Sequence, residues 1–212
     1  MGRSIGDAAS ARGASWPYRL LFDGGRGTGA DVKIGALILV GGASSRMGRD
    51  KASLDWNGRH AVDRLAELVA SLGISDVVTA GAGDHGLPSV VEAPPRSGPV
   101  GGIAAGLAAL GRLGCERALV LAVDAPTLTA SDIAPLLNSG PPGAAYEGLH
   151  LPLVVDLAAT RIDVEPGWPV ARFIGAVGLF RPPCPQGAAL RLRGANTEAQ
   201  RQELLAELAS RP

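Results

Sequence analysis

Two glycines, Gly41 and Gly42, precede Arg46, Arg49 and Lys51 in the stretch LVGGASSRMGRDKASLDWNG, residues 39–58. Glycines let backbone N–H groups approach an anion, and guanidinium and ammonium groups add charge-assisted contacts to phosphate oxygens. A triphosphate fits such a loop. The chain has only two lysines, Lys33 and Lys51, against eighteen arginines. A compact ammonium reaches a single oxygen as a point charge where a planar guanidinium is too broad. Lys51 therefore reads as a phosphate ligand, the alternative being a solvated surface cation. A further candidate, Asp124, ends the apolar run RALVLAV over residues 117–123. A carboxylate in that place lies at the mouth of a ligand crevice, where it can hold Mg²⁺ against phosphates. Its competing role, capping the next helix, is better filled by Thr129 or Ser131.

Other glycine motifs fit less well. The run GAGDHG, residues 81–86, has the GxGxxG spacing of a dinucleotide site, but Pro88 and SVVEA follow where a helix should open. It reads as a glycine turn. The first cluster is not a P-loop, because Gly42 and Gly48 enclose five residues and Arg49 stands where the lysine belongs. Nor is GASSR a nucleophile elbow, since Arg46 replaces its last glycine, which disfavours a Ser44 hydrolase using His150.

The elements that must position these residues are legible from periodicity. IGALILV is a continuous apolar strand, and AVDRLAELVASLG carries apolar residues at helical spacing before a terminating glycine. SDVVTAG and LPSVVEA read as strands, GPVGGIAAGLAALGRLG as a tightly packed helix, RALVLAVD as a buried strand and TASDIAPLLNS as a helix. Farther on, HLPLVVDLAATRI reads as a strand leading into a helix, PVARFIGAVGLF as a short helix and TEAQRQELLAELAS as an amphipathic helix. Alternating strands and helices predict an α/β fold: an open, mostly parallel sheet with helices on both faces and its crevice at the carboxyl ends of the strands. Residues 1–33, rich in Gly, Ala and Arg, are expected to form a poorly ordered extension, and residues 34–212 one domain.

Composition narrows the partners. The 212 residues carry 20 basic and 20 acidic side chains, so no overall field favours nucleic acid or an anionic membrane. No apolar stretch approaches the roughly 20 residues of a membrane span. Cys115 and Cys184 lack the spacing of a disulfide framework or a zinc site, which favours a reducing cytoplasm.

In order, the chain contains LVGGASSRMGRDKASLDWNG, GPVGG, VDAPTL and ANTEAQRQEL. This series resembles the molybdenum cofactor guanylyltransferase group of nucleotidyltransferases. The resemblance covers residues 34 to about 208. It implies a three-layer, doubly wound, Rossmann-like nucleotidyltransferase fold and transfer of GMP from Mg-GTP to the terminal phosphate of molybdenum-bound molybdopterin, releasing pyrophosphate. The attacking phosphate is already anionic, so positioning and charge neutralisation matter more than a base.

Carried across by motif, the resemblance implies that Leu39, Val40 and Gly41 line the base and ribose entrance, with Gly42 and GPVGG favouring guanine. Arg46 and Lys51 would hold the triphosphate and Asp124 the Mg²⁺. Glu92 stands nearest the place of a nucleotide-holding acid, the alternative being a solvated strand end. Gly98 would allow close approach to the nucleotide or simply close helix packing. Asn196 would reach toward the acceptor, unless Asn196 or Thr197 is only a helix N-cap. His150 before LPL resembles the family's His-Pro segment with one residue inserted, and reads as a loop histidine. A molybdoenzyme or chaperone would receive the product. The rivals are a cytidylyltransferase or another NTP transferase acting on a phosphorylated small molecule, and a nucleotide-binding protein without turnover.

Overall fold

The strand β1, Ile34–Leu39, forms because an unbroken apolar run can be buried on both faces only inside a parallel sheet. Alternate side chains divide between the two layers. Ala36, Ile38 and Val40 enter one apolar cluster, while Leu37 and Leu39 enter the other. In this computed structural model the residues described are 32–41, 51–91, 97–160, 165 and 167–211. Most of the expected N-terminal extension therefore lies outside them. Lys33, placed in that extension by sequence, is described, and its ammonium lies 2.8 Å from Asp76.

The chain continues through α1 (Ala61–Ser71), β2 (Val77–Ala80), β3 (Ser89–Val90), α2 (Gly98–Arg112), β4 (Arg117–Ala122) and α3 (Ala130–Leu137). It ends with β5 (Gly143–Ala145), β6 (Leu153–Asp156), α4 (Val170–Val177), α5 (Ala189–Arg193) and α6 (Glu198–Ala209). The six strands lie in the order β3-β2-β1-β4-β6-β5. The first four are parallel, β6 runs antiparallel to β4, and β5 runs antiparallel to β6. Residues of α1, α3, α5 and α6 pack on one face, and those of α2 and α4 on the other. This is the doubly wound α/β sheet that the alternating pattern predicts.

Small residues in α2 bring it close to the sheet. A Cβ on Gly106 would sit 2.5 Å from both Leu37 δ-carbons, so a side chain there must displace the buried Leu37. Two helices start on reciprocal caps. Thr129 and Asp132 form one box at α3, and Thr197 and Gln200 form the other at α6.

Three details differ from the sequence reading. The strand expected in LPSVVEA is only two residues long. In its described residues the segment HLPLVVDLAATRI gives β6 followed by a 3-10 turn, Leu157–Thr160, where an α-helix was expected to begin. The C-terminal helix buries only Leu204 and Leu208, a narrow i, i+4 stripe. The short elements β5 and α5 were not expected. β5 reads GAA, which carries no β-branched or aromatic signal, and α5 has five residues, too few to show a helical period.

Candidate active site

The strand order 3-2-1-4 places the topological switch between β1 and β4, and their carboxyl ends meet there. Leu39 pairs with Ala122, and the Val123 N–H donates to the Leu39 carbonyl at 3.1 Å. Gly41 and Asp124, each two residues beyond these partners, therefore leave the sheet side by side. The Leu39 and Val40 side chains are buried in opposite core layers, so the strand end presents mainly backbone and Gly41.

Gly41 is closely backed by the second glycine cluster. Gly81 has φ +136, and a Cβ on it would overlap the Gly41 backbone and approach Val40 Cγ2 to 2.9 Å. GAGDHG is thus a turn, as its context predicts, and its first glycine also lets the β2 turn pack against the end of β1. The tail of the first motif has a structural task as well. Asn57 and Gly58 both have positive φ, the conformation that Asn-Gly adopts readily in a tight turn. The Trp56 indole beside them is 2% exposed.

Opposite Gly41, the loop from Asp124 to Thr129 connects β4 to α3. A segment far along the sequence is sewn to it: the Ala195 N–H donates to the Asp124 carbonyl at 2.8 Å. Gly194 makes this approach possible. Its φ is 68 and its ψ −175, and a Cβ there would overlap the Asp124 carbonyl. Thr197 caps α6, with the Gln200 N–H donating to its hydroxyl at 3.2 Å and the Thr197 N–H donating to Gln200 Oε1 at 3.1 Å. Between Asn196 and Thr197, the cap is Thr197.

A cavity of about 400 Å³ opens beside Asp124, lined also by Ala122, His150, Arg193, Asn196 and Gln200. Topology explains His150. Because β6 is antiparallel to β4, with Leu153 opposite Val120, the residues just before β6 fall beside the residues just after β4. His150 also borders a neighbouring cavity of about 450 Å³ lined by Ile174, Gly175 and Arg181. Sequence reasoning set His150 aside as a loop residue and did not single out Arg193 or Gln200. The His-Pro resemblance was the one sequence signal for His150, and Arg193 and Gln200 had none, since sheet pairing and the α5–α6 turn bring these residues in.

The expected site residues are thus only partly brought together. Asp124 and Asn196 share one cavity, and Leu39, Val40 and Gly41 lie at the adjoining strand end. Gly98 opens α2 with φ +77, after β3 on the same edge of the sheet. Arg46, Gly42 and Glu92 lie outside the described residues, and Lys51 is described only as the first residue of a 3-10 turn, Lys51–Ser53. Among the described residues no group of three or more His, Cys, Asp or Glu could hold a metal unaided.

A model of the MobA-like NTP transferase domain matches residues 36–163, which take in most of β1 and all of the β4 end with Asp124. The chain belongs to this family. It is 34% identical over 125 residues to a protein named molybdenum cofactor guanylyltransferase from Xanthomonas euvesicatoria, the match covering 58% of this chain and 65% of that protein. The chain thus spans slightly under two thirds of that relative. It is 32% identical over 154 residues to the Acidiphilium cryptum protein of the same name, covering 69% of this chain and 75% of the other. The fold is similar to that of molybdopterin-guanine dinucleotide biosynthesis protein A from Archaeoglobus fulgidus. That comparison gives a TM-score of 0.59 at 12% identity, over 83% of this chain and 99% of that one.

Proposed function

We propose that this chain is a nucleotidyltransferase that moves GMP from GTP onto the terminal phosphate of molybdenum-bound molybdopterin. One observation carries the reading: in a chain of this family, the strand-end carboxylate of Asp124 lies at the sheet's switch point and in one cavity with Asn196. An acceptor phosphate oxygen bonds to the α-phosphorus as the bond from that phosphorus to the bridging oxygen breaks. The electron pair leaves with pyrophosphate, and no covalent enzyme intermediate is needed.

Each of the site residues has a share in this. Gly41 and Gly42 admit the nucleotide to the end of β1, Arg46 and Lys51 hold the triphosphate, Glu92 helps to hold the nucleotide, and Gly98 allows its close approach. Asn196 orients the acceptor, and His150 and Arg193 add donors on that side of the cavity. The donor set suits Mg²⁺, which is typically bound through one or two carboxylates together with substrate phosphates. Asp124 would hold it, and the ion would supply neutralisation of phosphate charge.

Residues 34–212 form one nucleotidyltransferase domain in this reading, and residues 1–33 an extension to it. Both core layers draw on elements from β1 onward, which supports the first part. The two described cysteines are free, and no helix among the described residues is long and apolar enough to cross a membrane. Both features suit work in the cytoplasm, with the product passed to a molybdoenzyme or its chaperone.

The test is pyrophosphate release by the purified full chain with Mg²⁺ and GTP or CTP, with and without molybdenum-loaded molybdopterin. Release with GTP and acceptor together is expected. A preference for CTP would replace the guanylyl assignment with a cytidylyl one, and no release with any pair would leave a binding protein without turnover.

A further inference from the structure

Outside the crevice, four charged side chains join the two loops that form it. Asp132, buried in the first turn of α3, accepts a forked pair of hydrogen bonds from Arg191 on α5, Nε to Oδ2 at 2.9 Å and Nη2 to Oδ1 at 2.7 Å. Arg191 uses its remaining nitrogen, Nη1, to reach Glu207 Oε1 on α6 at 2.7 Å and the Gly187 carbonyl at 3.1 Å. Glu207 also accepts from Arg211 at 3.3 Å, and the same Arg211 nitrogen donates to the Thr127 carbonyl at 2.7 Å. The path therefore begins three residues before Gly194, on the Asn196 side, and ends inside the loop that carries Asp124.

We propose that this chain of charges is a clamp that holds the Asp124 loop against the Asn196 loop, with Arg191 as its positioning residue. The geometry favours arginine, because only a planar fork can face a carboxylate with two nitrogens and still offer a third to another partner. The clamp is stiff. Burial pushes the Asp132 carboxyl up, but hydrogen bonds from Arg191 and Thr129 outweigh it and the net direction is down. A buried carboxylate deprived of its cation is strongly unfavourable, so Asp132 keeps α5 in place. Where the two loops touch, the Ala195–Asp124 hydrogen bond reports whether the clamp is shut.

The experiment compares Arg191→Ala, Arg191→Lys and Glu207→Gln with wild type in the full chain. Amide hydrogen exchange is followed over residues 194–197, together with kcat, KM for GTP and melting temperature. In Arg191→Ala, exchange at the Ala195 amide should quicken by about tenfold or more, since a local opening is then less costly. In the same variant kcat should fall about tenfold while KM for GTP moves by less than about threefold, the signature of lost positioning. Arg191→Lys, keeping one charge without the fork, should lie between. If Arg191→Ala does not fold, Glu207→Gln gives the same readings with smaller changes. Unchanged exchange at Ala195 in the folded variants, or an activity loss that Arg191→Lys does not partly restore, overturns the clamp. The kinetic arm rests on the proposed nucleotidyl transfer. A wild-type chain without GMP transfer would overturn that function, and the exchange arm would still decide the clamp.

Discussion

Replacing Gly194 with alanine tests whether the late segment must lie on the Asp124 loop. At φ 68 and ψ −175 this residue occupies a region that is essentially reserved for glycine, and a side chain there costs about 1–3 kcal/mol. Its Cβ would also overlap the Asp124 carbonyl, which is backbone and cannot rotate aside. The loop must lift, and the Ala195–Asp124 hydrogen bond goes with it, at about 1 kcal/mol. The sum is about 2–4 kcal/mol. If the whole fold bears it, the melting temperature falls by about 4–16 °C, at about 2–4 °C per kcal/mol for a chain of this size. If only the loop opens, Asn196 leaves the cavity, and at about 1.4 kcal/mol per decade kcat/KM falls by about thirtyfold to several hundredfold. Differential scanning fluorimetry and the pyrophosphate assay read the two routes separately. A variant that melts within about 2 °C of wild type and keeps kcat/KM within about threefold would refute the close approach.

Asp124→Ala and Lys51→Ala should each lower turnover at least about tenfold, or about 1.4 kcal/mol of barrier, in the same assay; a near-normal rate removes that residue from the mechanism. Trp56 is 2% exposed, and its indole N–H has no hydrogen-bond partner among the described residues. Trp56→Ala should therefore cost about 3–5 kcal/mol in denaturant unfolding and Trp56→Phe markedly less, whereas equal losses would show that the indole nitrogen matters. The lowered pKa of Asp132 makes a stabilising contribution that is complete above its ordinary value of 3.8 and is lost as pH falls through the lower folded value. Asp132→Asn should accordingly flatten the acid side of the stability profile below that pH, and an unchanged slope contradicts the assignment. Burial raises the Tyr146 pKa to about 12 from 10.0, so its contribution is complete below pH 10 and lost as pH rises toward 12. Tyr146→Phe should remove that alkaline loss in urea melts taken across the same range.

Much of the architecture could be read without coordinates, because it is encoded locally. β1 and β4 announce themselves as apolar runs without interruption, α1 and α2 as periodic segments, and Asp124 as the polar residue that ends a buried strand. A cap at Thr129 or Ser131 was legible because the signal lies within one turn, and the structure chooses Thr129, which shares a box with Asp132. The shortest elements were illegible, since three small residues in β5 and five in α5 carry too little pattern to outweigh a loop.

The sequence by itself determined the identity of the first motif, the alternation that makes a doubly wound sheet, and the presence of a carboxylate at the end of its fourth strand. Tertiary structure alone decided what stands around that carboxylate. Antiparallel pairing of β6 with β4 brings His150 there, the turn at Gly194 brings Arg193 and Asn196, and a bond between residues 59 positions apart joins Arg191 to Asp132. The reason is physical: periodicity and motif spacing express forces between near neighbours in the chain. Contacts between distant segments depend on how whole layers pack, and a linear pattern of residue types does not specify that by itself.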